Sequence, residues 1–365
     1  MKKLRFGIIG CGGIANNKHM PAYKRLSDEV ELVAFCDIIE ERAVKANADY
    51  ADGKGKVFVD YRDLLKEPLD AVCVCTPNSS HSEITVAALD AGKHVMCEKP
   101  MAINYEEATA MIAAEKRSGK LLTIGYQNRY RPDSQYLKAE AEKGVFGDIY
   151  FARAKALRRR AVPTWGVFLD EEKQGGGPLI DIGTHALDLT LYVMNNYKPK
   201  YAVGTVYHKL NGQRDTANAW GDWDPDKFTV EDSAFGFVVM EDGATISLDA
   251  SWALNYADPD EAKTLICGTK AGADMFSDKL RINGVNNGRQ YITTPDFGAG
   301  GVAFFGGAAE SPEVVEASTF VNAVRGKGKL VVLPEQAATV TRILDAIYES
   351  AKTGRPVYFD GEVKK

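Results

Sequence analysis

Short apolar runs alternate with amphipathic stretches over the first third of the chain. The runs are continuous, which is typical of strands buried on both faces of a parallel sheet. They cover residues 4–9, 31–36, 57–59, 71–75, 93–97 and 121–125. The stretches between them predict helices, the longest over 40–50, 80–91 and 105–118. This order predicts an α/β unit with a doubly wound parallel sheet.

The pattern changes near Tyr126. Strand-like segments separated by turns dominate from residue 201 to residue 292. Helices are expected over 133–143, 181–194, 313–324 and 334–351. This mixture predicts an α+β domain on a large, mostly antiparallel sheet. Because a chain of 365 residues is longer than one hydrophobic core normally supports, we expect two domains, over 1–125 and 126–365.

A glycine-rich turn directly follows the first predicted strand. The segment from Gly10 to Ala15 has the spacing G-x-G-x-x-A, a variant of the dinucleotide-binding (Rossmann) fingerprint. Gly10 allows a sharp turn, Gly12 lets the backbone approach a pyrophosphate, and small Ala15 lets the helix pack close to the strand. Gly13 and Ile14 continue the loop into the positive end of the helix, where phosphates are expected to bind. A tight turn without a ligand is the alternative.

An acidic residue at the end of the second strand favours the dinucleotide. Asp37 lies about 20 residues beyond the glycines, where an acid holds the adenosine ribose. Its carboxylate would accept both ribose hydroxyls and would repel a 2′-phosphate. The next residues, Ile38 and Ile39, provide no arginine to hold such a phosphate. We therefore expect NAD rather than NADP as the cofactor.

Polar residues also follow the fourth, fifth and sixth strands of the predicted sheet. Ligands of such sheets bind beyond the carboxyl ends of the strands. The residues expected to line the cofactor there are Thr76, Pro77, Asn78, Glu98, Lys99 and Gln127. Glu98 is expected to contact the nicotinamide ribose, and Gln127 the carboxamide. His81, at the start of the next helix, either lines the cofactor or packs locally.

Charge and cysteine usage exclude several other classes of protein. The net charge of −5 provides no basic footprint for nucleic acid or for an anionic membrane. No apolar run in the sequence approaches the ~20 residues of a membrane span. The six cysteines lack the spacing of a zinc site, and no metal is expected. Free thiols are typical of a reducing compartment, so we expect a cytoplasmic protein.

Four segments, in the same order, resemble the Gfo/Idh/MocA family of NAD(P)-dependent oxidoreductases, which act mostly on sugars and cyclitols. They are the glycine turn at 10–15, the turn Thr76-Pro77-Asn78 with His81, the strand end Cys97-Glu98-Lys99-Pro100, and G-G-P-L-I-D-I-G-T-H over 176–185. The resemblance covers the whole chain. It implies that Lys99 is the catalytic acid/base and that Asp181 and His185 face the substrate. It also implies assembly into a homodimer or homotetramer through the C-terminal sheet.

The residues themselves leave more than one role open at these positions. Asp181 and His185 are four apart on a predicted helix, so they share one face, either as an exposed acid–base pair or in a substrate site. Gly183 between them weakens a helix, which is explained if the nicotinamide or the sugar approaches closely. Lys99 is biased toward an extended backbone by the following proline. It can take a proton from a hydroxyl as hydride leaves carbon, and a surface lysine is the alternative.

Further residues are candidates for contact with the substrate. Arg158 and Trp165 lie in an irregular basic and aromatic stretch over 157–174. Arginine donates to hydroxyls in a fixed fork and an indole offers a flat face to a sugar ring, whereas a solvated basic turn is the alternative. Tyr126, at the end of the sixth strand, is expected to touch the substrate. His19, near the end of the first helix, could reach the same cleft.

The predicted function is that of an NAD-dependent dehydrogenase of a sugar, glycoside or cyclitol. The residues from Arg160 to Trp165 resemble family members that oxidise the 3-hydroxyl of glucosides, and an inositol dehydrogenase is the nearest alternative. Two alternatives belong to other classes: a sugar sensor that binds the dinucleotide without turnover, and a glycosidase that uses NAD transiently. The glycine- and phenylalanine-rich stretch from Asp296 to Gly307 is expected to form a loop over the substrate or at a subunit contact.

Overall fold

The computed structural model describes residues 2–276, 279–297 and 310–359 of the chain. The chain folds into two compact units. The first unit comprises Met1–Tyr130 and Glu310–Ala338, and the second comprises Arg131–Ala309 and Thr339–Lys365. Each unit is built on a sheet of its own.

The first unit contains a six-stranded sheet in which every pair of neighbouring strands is parallel. The strands are β1 (Leu4–Ile9), β2 (Val30–Cys36), β3 (Lys56–Phe58), β4 (Ala71–Val74), β5 (His94–Cys97) and β6 (Leu122–Ile124). The helices between them are α1 (Met20–Arg25), α2 (Glu40–Ala51), α3 (Tyr61–Leu64), α4 (His81–Asp90) and α5 (Tyr105–Ser118). The order across the sheet is β3-β2-β1-β4-β5-β6. Its direction reverses between β1 and β4, which is where ligands bind in a doubly wound sheet.

The second unit contains a nine-stranded, mostly antiparallel sheet. Its strands are β7 (Ile149–Leu157), β8 (Pro199–Tyr207), β9 (Ser233–Met240), β10 (Thr245–Ser251), β11 (Asp260–Gly268), β12 (Ala271–Asp274), β13 (Arg281–Asn286), β14 (Arg289–Thr293) and β15 (Val357–Tyr358). The order is β14-β13-β12-β11-β7-β10-β9-β8-β15, and β7 and β10 form a parallel pair. Helices α6 (Pro132–Glu142), α7 (Glu171–Gln174) and α8 (Thr184–Met194) belong to this unit. Helix α8 is buried along nearly its whole length and packs on β7 and β11.

Helix α9 (Pro312–Val324) returns to the core of the first unit, and α10 (Pro334–Thr353) follows it. Ala317 and Phe320 of α9 are buried in the same cluster as Phe6 of β1. The rings of Phe6 and Phe320 meet edge to face, with centroids 6.0 Å apart. The burial of this apolar helix face groups residues 310–338 with the first unit. The division therefore differs from the single boundary expected at 125.

The predicted fold class is confirmed: a parallel Rossmann sheet is followed by an α+β unit on a mostly antiparallel sheet. Most of the loop expected from Asp296 to Gly307 lies outside the described residues. Among the helices that the structure describes, none is both long enough and apolar enough to cross a bilayer.

Candidate active site

The glycine turn after β1 packs closely against the end of β4 at Gly10 and is open at Gly12 and Gly13. Gly10 has a φ of +89°, and a Cβ there would lie 2.6 Å from the carbonyl oxygen of Cys75. A larger residue would therefore collide with the end of β4. A Cβ on Gly12 or Gly13 would meet no atom within 4 Å. This open side has room for a ligand at the positive end of the following helix.

Asp37, the residue expected to hold the ribose, bonds to the backbone of the glycine turn. Its Oδ2 accepts the backbone N–H of Cys11 at 2.9 Å, and its Oδ1 accepts that of Ile39 at 2.9 Å. Each carboxylate oxygen keeps a further lone pair, so the acid can still accept from a ribose. Because the Asp37 side chain bonds to the backbone of Cys11, the acid and the glycine turn are fixed relative to each other.

The surface around this turn fits a dinucleotide. Ile38 is 90% exposed, and Ile14 and Ile39 are also exposed, so apolar surface faces outward beside the acid. A flat apolar group such as an adenine ring would cover it. The buried Thr76 Oγ1 has no hydrogen-bond partner within the described part of the chain. A ligand with polar atoms at the strand ends would satisfy this hydroxyl.

The helix after the turn begins as a π-helix over Ala15–His19. Such wider turns often occur at functional sites. Here it points Lys18 and His19 into the protein, where Lys18 is 5% exposed. Lys18 Nζ lies 2.7 Å from Glu98 Oε1 and 2.9 Å from Glu316 Oε2 of helix α9. It also donates to Gln127 Oε1 at 3.2 Å.

His19 and the backbone of Lys99 complete this buried cluster around Glu98. His19 Nε2 lies 2.7 Å from Glu98 Oε1, and Glu98 Oε2 accepts the backbone N–H of Lys99 at 3.0 Å. A Cβ on Gly125 would lie 2.8 Å from Glu98 Oε1, so a glycine is needed beside the cluster. Lys18 and His19 thus hold the Glu98 carboxylate in place, and Glu98 in turn holds the backbone N–H of Lys99.

The charges of the cluster follow from these contacts. Burial alone would raise the pKa of Glu98, but the neighbouring Lys18 and His19 hold it well below its usual range. Burial would lower the pKa of His19, yet the negative groups around its ring, with Glu98 in direct contact, raise it. For Glu316 burial prevails over Lys18, and the pKa is raised. Glu98 is therefore ionised, and His19 Nε2 donates to it.

The structure shows the surroundings of Glu98 and His81, which were both expected near the cofactor. Both oxygens of Glu98 accept from protein donors and its side chain is buried, so Glu98 fixes the backbone of Lys99, and its expected contact with the nicotinamide ribose stays a prediction. His81 is buried, with Nδ1 2.8 Å from the oxygen of Pro100 and Nε2 2.9 Å from that of Thr76. Its ring joins two strand-end loops, which agrees with the local-packing alternative. Pro77 is exposed and Asn78 is buried, at the start of a 3₁₀ turn.

In the second unit, a buried glutamate holds the glycine-rich segment that precedes Asp181. Glu231 accepts the backbone N–H of Gly177 at 2.7 Å and of Leu179 at 3.1 Å, and the hydroxyl of Tyr348 at 2.9 Å. A Cβ on Gly177 would lie 2.2 Å from the Glu231 carbonyl oxygen. Close packing against Glu231 thus requires a glycine at position 177. Burial raises the pKa of Glu231 to about 7, although its donors oppose the shift.

Asp181 and His185 are both buried, which excludes the exposed acid–base pair. Asp181 lies in a π-helical turn, Leu179–Gly183, and His185 lies in α8, instead of both being in one α-helix as predicted. Trp252 Nε1 donates to Asp181 Oδ2 at 3.0 Å. A Cβ on Gly183 would lie 3.1 Å from that of Ala250. Gly183 therefore allows close packing on β10, which explains this glycine without a ligand, and the expected close approach of a ligand stays a prediction.

The other predicted substrate contacts differ in how open they are. Arg158 makes a two-pronged ion pair with Glu261, at 2.6 and 2.8 Å, so its fork is already engaged. Trp165 is half-exposed and remains available. Tyr126 is fully buried in the first unit and presents no open face to a substrate. Lys99 is half-buried, which fits neither a free surface lysine nor a core residue.

A doubly wound sheet with an open glycine turn after β1 and an acid at the end of β2 is characteristic of a dinucleotide-binding fold. The profile of the oxidoreductase family with an NAD-binding Rossmann fold, GFO_IDH_MocA, matches residues 4–126. The GFO/IDH/MocA C-terminal domain matches residues 134–274. The chain belongs to the Gfo/Idh/MocA family, and the resemblance seen in its motifs is confirmed.

Similar proteins span the whole chain. The D-glucoside 3-dehydrogenase of Escherichia coli (strain K12) is 37% identical over 355 residues, which are 97% of both chains. The myo-inositol 2-dehydrogenase of Thermotoga maritima is 32% identical over 205 residues, 56% of this chain and 59% of that protein. The structure of levoglucosan dehydrogenase with NADH and levoglucosan has a TM-score of 0.82 at 23% identity, covering 98% of this chain and 99% of that one. It shares the fold, and the family's NAD-binding domain agrees with the predicted cofactor.

Replacing Lys18 with methionine should destabilise the first unit by about 3–5 kcal/mol, because two buried carboxylates lose their shared cation. Urea unfolding followed by hydrogen exchange of β1 and β4 measures this loss. Lys45→Met is the matched control, since its pair with Asp49 has the same 2.7 Å length but is exposed. Lys45→Met should lower the stability far less than Lys18→Met, because solvent screens an exposed pair. Equal losses in the two variants would contradict the role of the buried cluster.

Glu231 should make the stability of the second unit depend on pH. Its pKa is about 7 in the folded protein and about 4.3 when unfolded, so the folded state binds the proton more tightly. Stability should therefore fall by about 3 kcal/mol as pH rises from about 4 to about 7. Urea unfolding followed by tryptophan emission reports this unit, since all four tryptophans lie in it. Glu231→Gln should remove the fall, and parallel curves for variant and wild type would refute the assignment.

Proposed function

We propose that this protein is an NAD-dependent dehydrogenase that oxidises the 3-hydroxyl of D-glucosides. The observation that carries the proposal is the full-length similarity to the E. coli D-glucoside 3-dehydrogenase. The match to the inositol dehydrogenase covers just over half of the chain, which makes a cyclitol the second candidate substrate.

The residues proposed to hold NAD are the glycine turn, Asp37 and the strand end at Thr76–Asn78. Bound NAD supplies the acceptor for the hydride that leaves the ring carbon. The protein must then orient that carbon and remove the proton of its hydroxyl. The open side of Gly12 and Gly13 and the unsatisfied Thr76 hydroxyl support this assignment.

Lys99 is assigned to the proton transfer. Its amine takes the hydroxyl proton as the C–H bond breaks, and returns the proton in the reverse reaction. The rigid link from Lys18 through Glu98 to the Lys99 backbone supports this role, because a proton-transfer group must be held within hydrogen-bond reach of its target. Asp181 and His185 are assigned to substrate hydroxyls, with Asp181 oriented by Trp252.

The assay that tests the function is NADH formation with methyl glucosides, free glucose, a galactoside and myo-inositol. We expect glucosides to be oxidised, with the ketone at C3 identified by reduction with borodeuteride and NMR of the products. Lys99→Met should lower kcat by about 10²–10⁴-fold while NAD binding persists. Lys93→Met, a partly buried lysine on the opposite end of β5, is the control and should retain activity.

Other results would replace the proposal. Oxidation of inositol alone would make the protein a cyclitol dehydrogenase. NAD binding without any turnover would identify a sensor. Release of free sugar from a glycoside without accumulation of NADH would identify a glycosidase that uses NAD transiently.

We also propose a homodimer or homotetramer, located in the cytoplasm. All six cysteines are free, which supports a reducing compartment. One face of the second sheet packs on α8, and the opposite face carries Phe237, Phe151 and Leu265 in partly exposed positions. Sedimentation equilibrium should show an oligomer that Phe237→Asp dissociates, because a charge would be buried in the interface. A wild-type monomer would contradict the proposal.

A further inference from the structure

A cavity of about 710 Å³ lies wholly within the second unit, outside the Asp181–His185 segment. This volume is in the range of ordinary small-molecule sites. Trp165 and Trp223 line the cavity together with Val167 and Leu169. Trp223 is buried, with Nε1 donating to the oxygen of Asn211, whereas Trp165 is 50% exposed. Trp165 is therefore the aromatic surface that a ligand could cover.

A row of aromatic rings connects this cavity to Asp181. Trp252, which donates to Asp181, lies edge to face against Phe168 with centroids 6.5 Å apart. Phe168 in turn lies edge to face against Trp165, at 5.8 Å. Two ring contacts thus separate the residue assigned to a substrate hydroxyl from the wall of the cavity. Trp252 is fully buried and Phe168 is partly exposed, so the row is a packed link whose open end lies at Phe168 and Trp165.

Trp165 is held in place by a second loop. The rings of Trp165 and Trp220 are nearly perpendicular, at 83°, with centroids 4.9 Å apart, and the guanidinium of Arg158 lies 5.4 Å from the ring centre of Trp220. Thr164 Oγ1 donates to the backbone oxygen of Trp220 at 2.7 Å. Asn218 bonds to both backbone groups of Val162, at 2.8 and 3.0 Å. Such a prearranged indole loses little entropy when a ring stacks on it.

The remaining wall of the cavity is acidic. Glu172, Asp222 and Asp224 line it. Lys227 also lines the cavity, but its positive charge is offset by its ion pair with Asp224 at 3.0 Å. Carboxylates accept hydrogen bonds from hydroxyls and repel phosphates and other anions. An indole face beside such acceptors suits a polyhydroxylated ring without negative charge.

We propose that this cavity binds an uncharged second sugar ring, the one joined to the glucose that is oxidised. The proposal rests on the proposed function, since it assigns the aglycone of the same glucoside. It makes neutral disaccharides the preferred substrate class, over methyl glucosides and over glucosides with anionic aglycones.

The test compares kcat/KM for four substrates: methyl glucoside, a neutral glucosyl disaccharide, phenyl glucoside, and a glucosyl disaccharide with a carboxylate on the second ring. The wild type should prefer the neutral disaccharide. Trp165→Ala should lower the ratio of disaccharide to methyl glucoside about tenfold, mainly through KM. Trp165→Phe keeps an aromatic ring and should retain most of the ratio. Tyr150→Ala, which removes an exposed aromatic ring outside the cavity, is the matched control.

Three outcomes would overturn the proposal. The first is an unchanged ratio in a folded Trp165→Ala, as judged by circular dichroism. The second is a wild-type preference for phenyl glucoside alone, which would assign an aromatic aglycone. The third is equal use of the neutral and anionic disaccharides. Titration of the disaccharide by tryptophan emission is independent of turnover. A titration signal that Trp165→Ala abolishes would support the cavity even if no glucoside were oxidised, in which case the proposed function alone would fail.

Discussion

The first unit depends on one ammonium group, Lys18, enclosed between the carboxylates of Glu98 and Glu316. Removing a cation from water is costly unless its partners are close and fully engaged. The cluster meets this condition with two contacts below 3 Å and further oxygen acceptors nearby. It joins three distant parts of the chain: the helix after the glycine turn, the end of β5, and helix α9. The helix after the glycine turn and the segment that carries Lys99 are therefore linked through Lys18 and Glu98.

A buried carboxylate that accepts backbone N–H groups recurs at each functional segment. Asp37 holds Cys11 in the glycine turn, Glu98 holds Lys99, and Glu231 holds Gly177 before Asp181. Glu98 and Glu231 differ in charge. Lys18 and His19 keep Glu98 ionised, whereas the donors to Glu231 are two amides and a phenol, and burial raises its pKa. Glu98 therefore stays ionised near neutral pH, whereas Glu231 changes its charge there.

The parallel sheet and the glycine turn could be predicted because their signals are local: continuous apolar runs, and glycines at fixed spacing. The buried carboxylates that hold the functional segments could not be predicted from the sequence. Glu316 and Glu231 meet their partners across long stretches of sequence, and a π-helical turn has no residue pattern that separates it from an α-helix. Gly183 shows the limit of a local argument, since its glycine serves packing on Ala250. The available signals were Lys18 and His19 on an otherwise core-facing helix, and Gly125 beside Glu98.

The residues around Lys99 and those around Trp165 differ in how freely they can be substituted. Lys99 is carried by a strand end that a buried charge cluster fixes, so few substitutions there keep the geometry. Trp165 and Trp220 are carried by loops held by backbone and side-chain hydrogen bonds, which can change without disturbing either sheet. A family built in this way can keep one proton-transfer arrangement while its loops adapt to different groups on the sugar. In the proposed assignments, selectivity for the second ring is a property of the loops at 157–170 and 216–224, whereas proton transfer is a property of the strand ends.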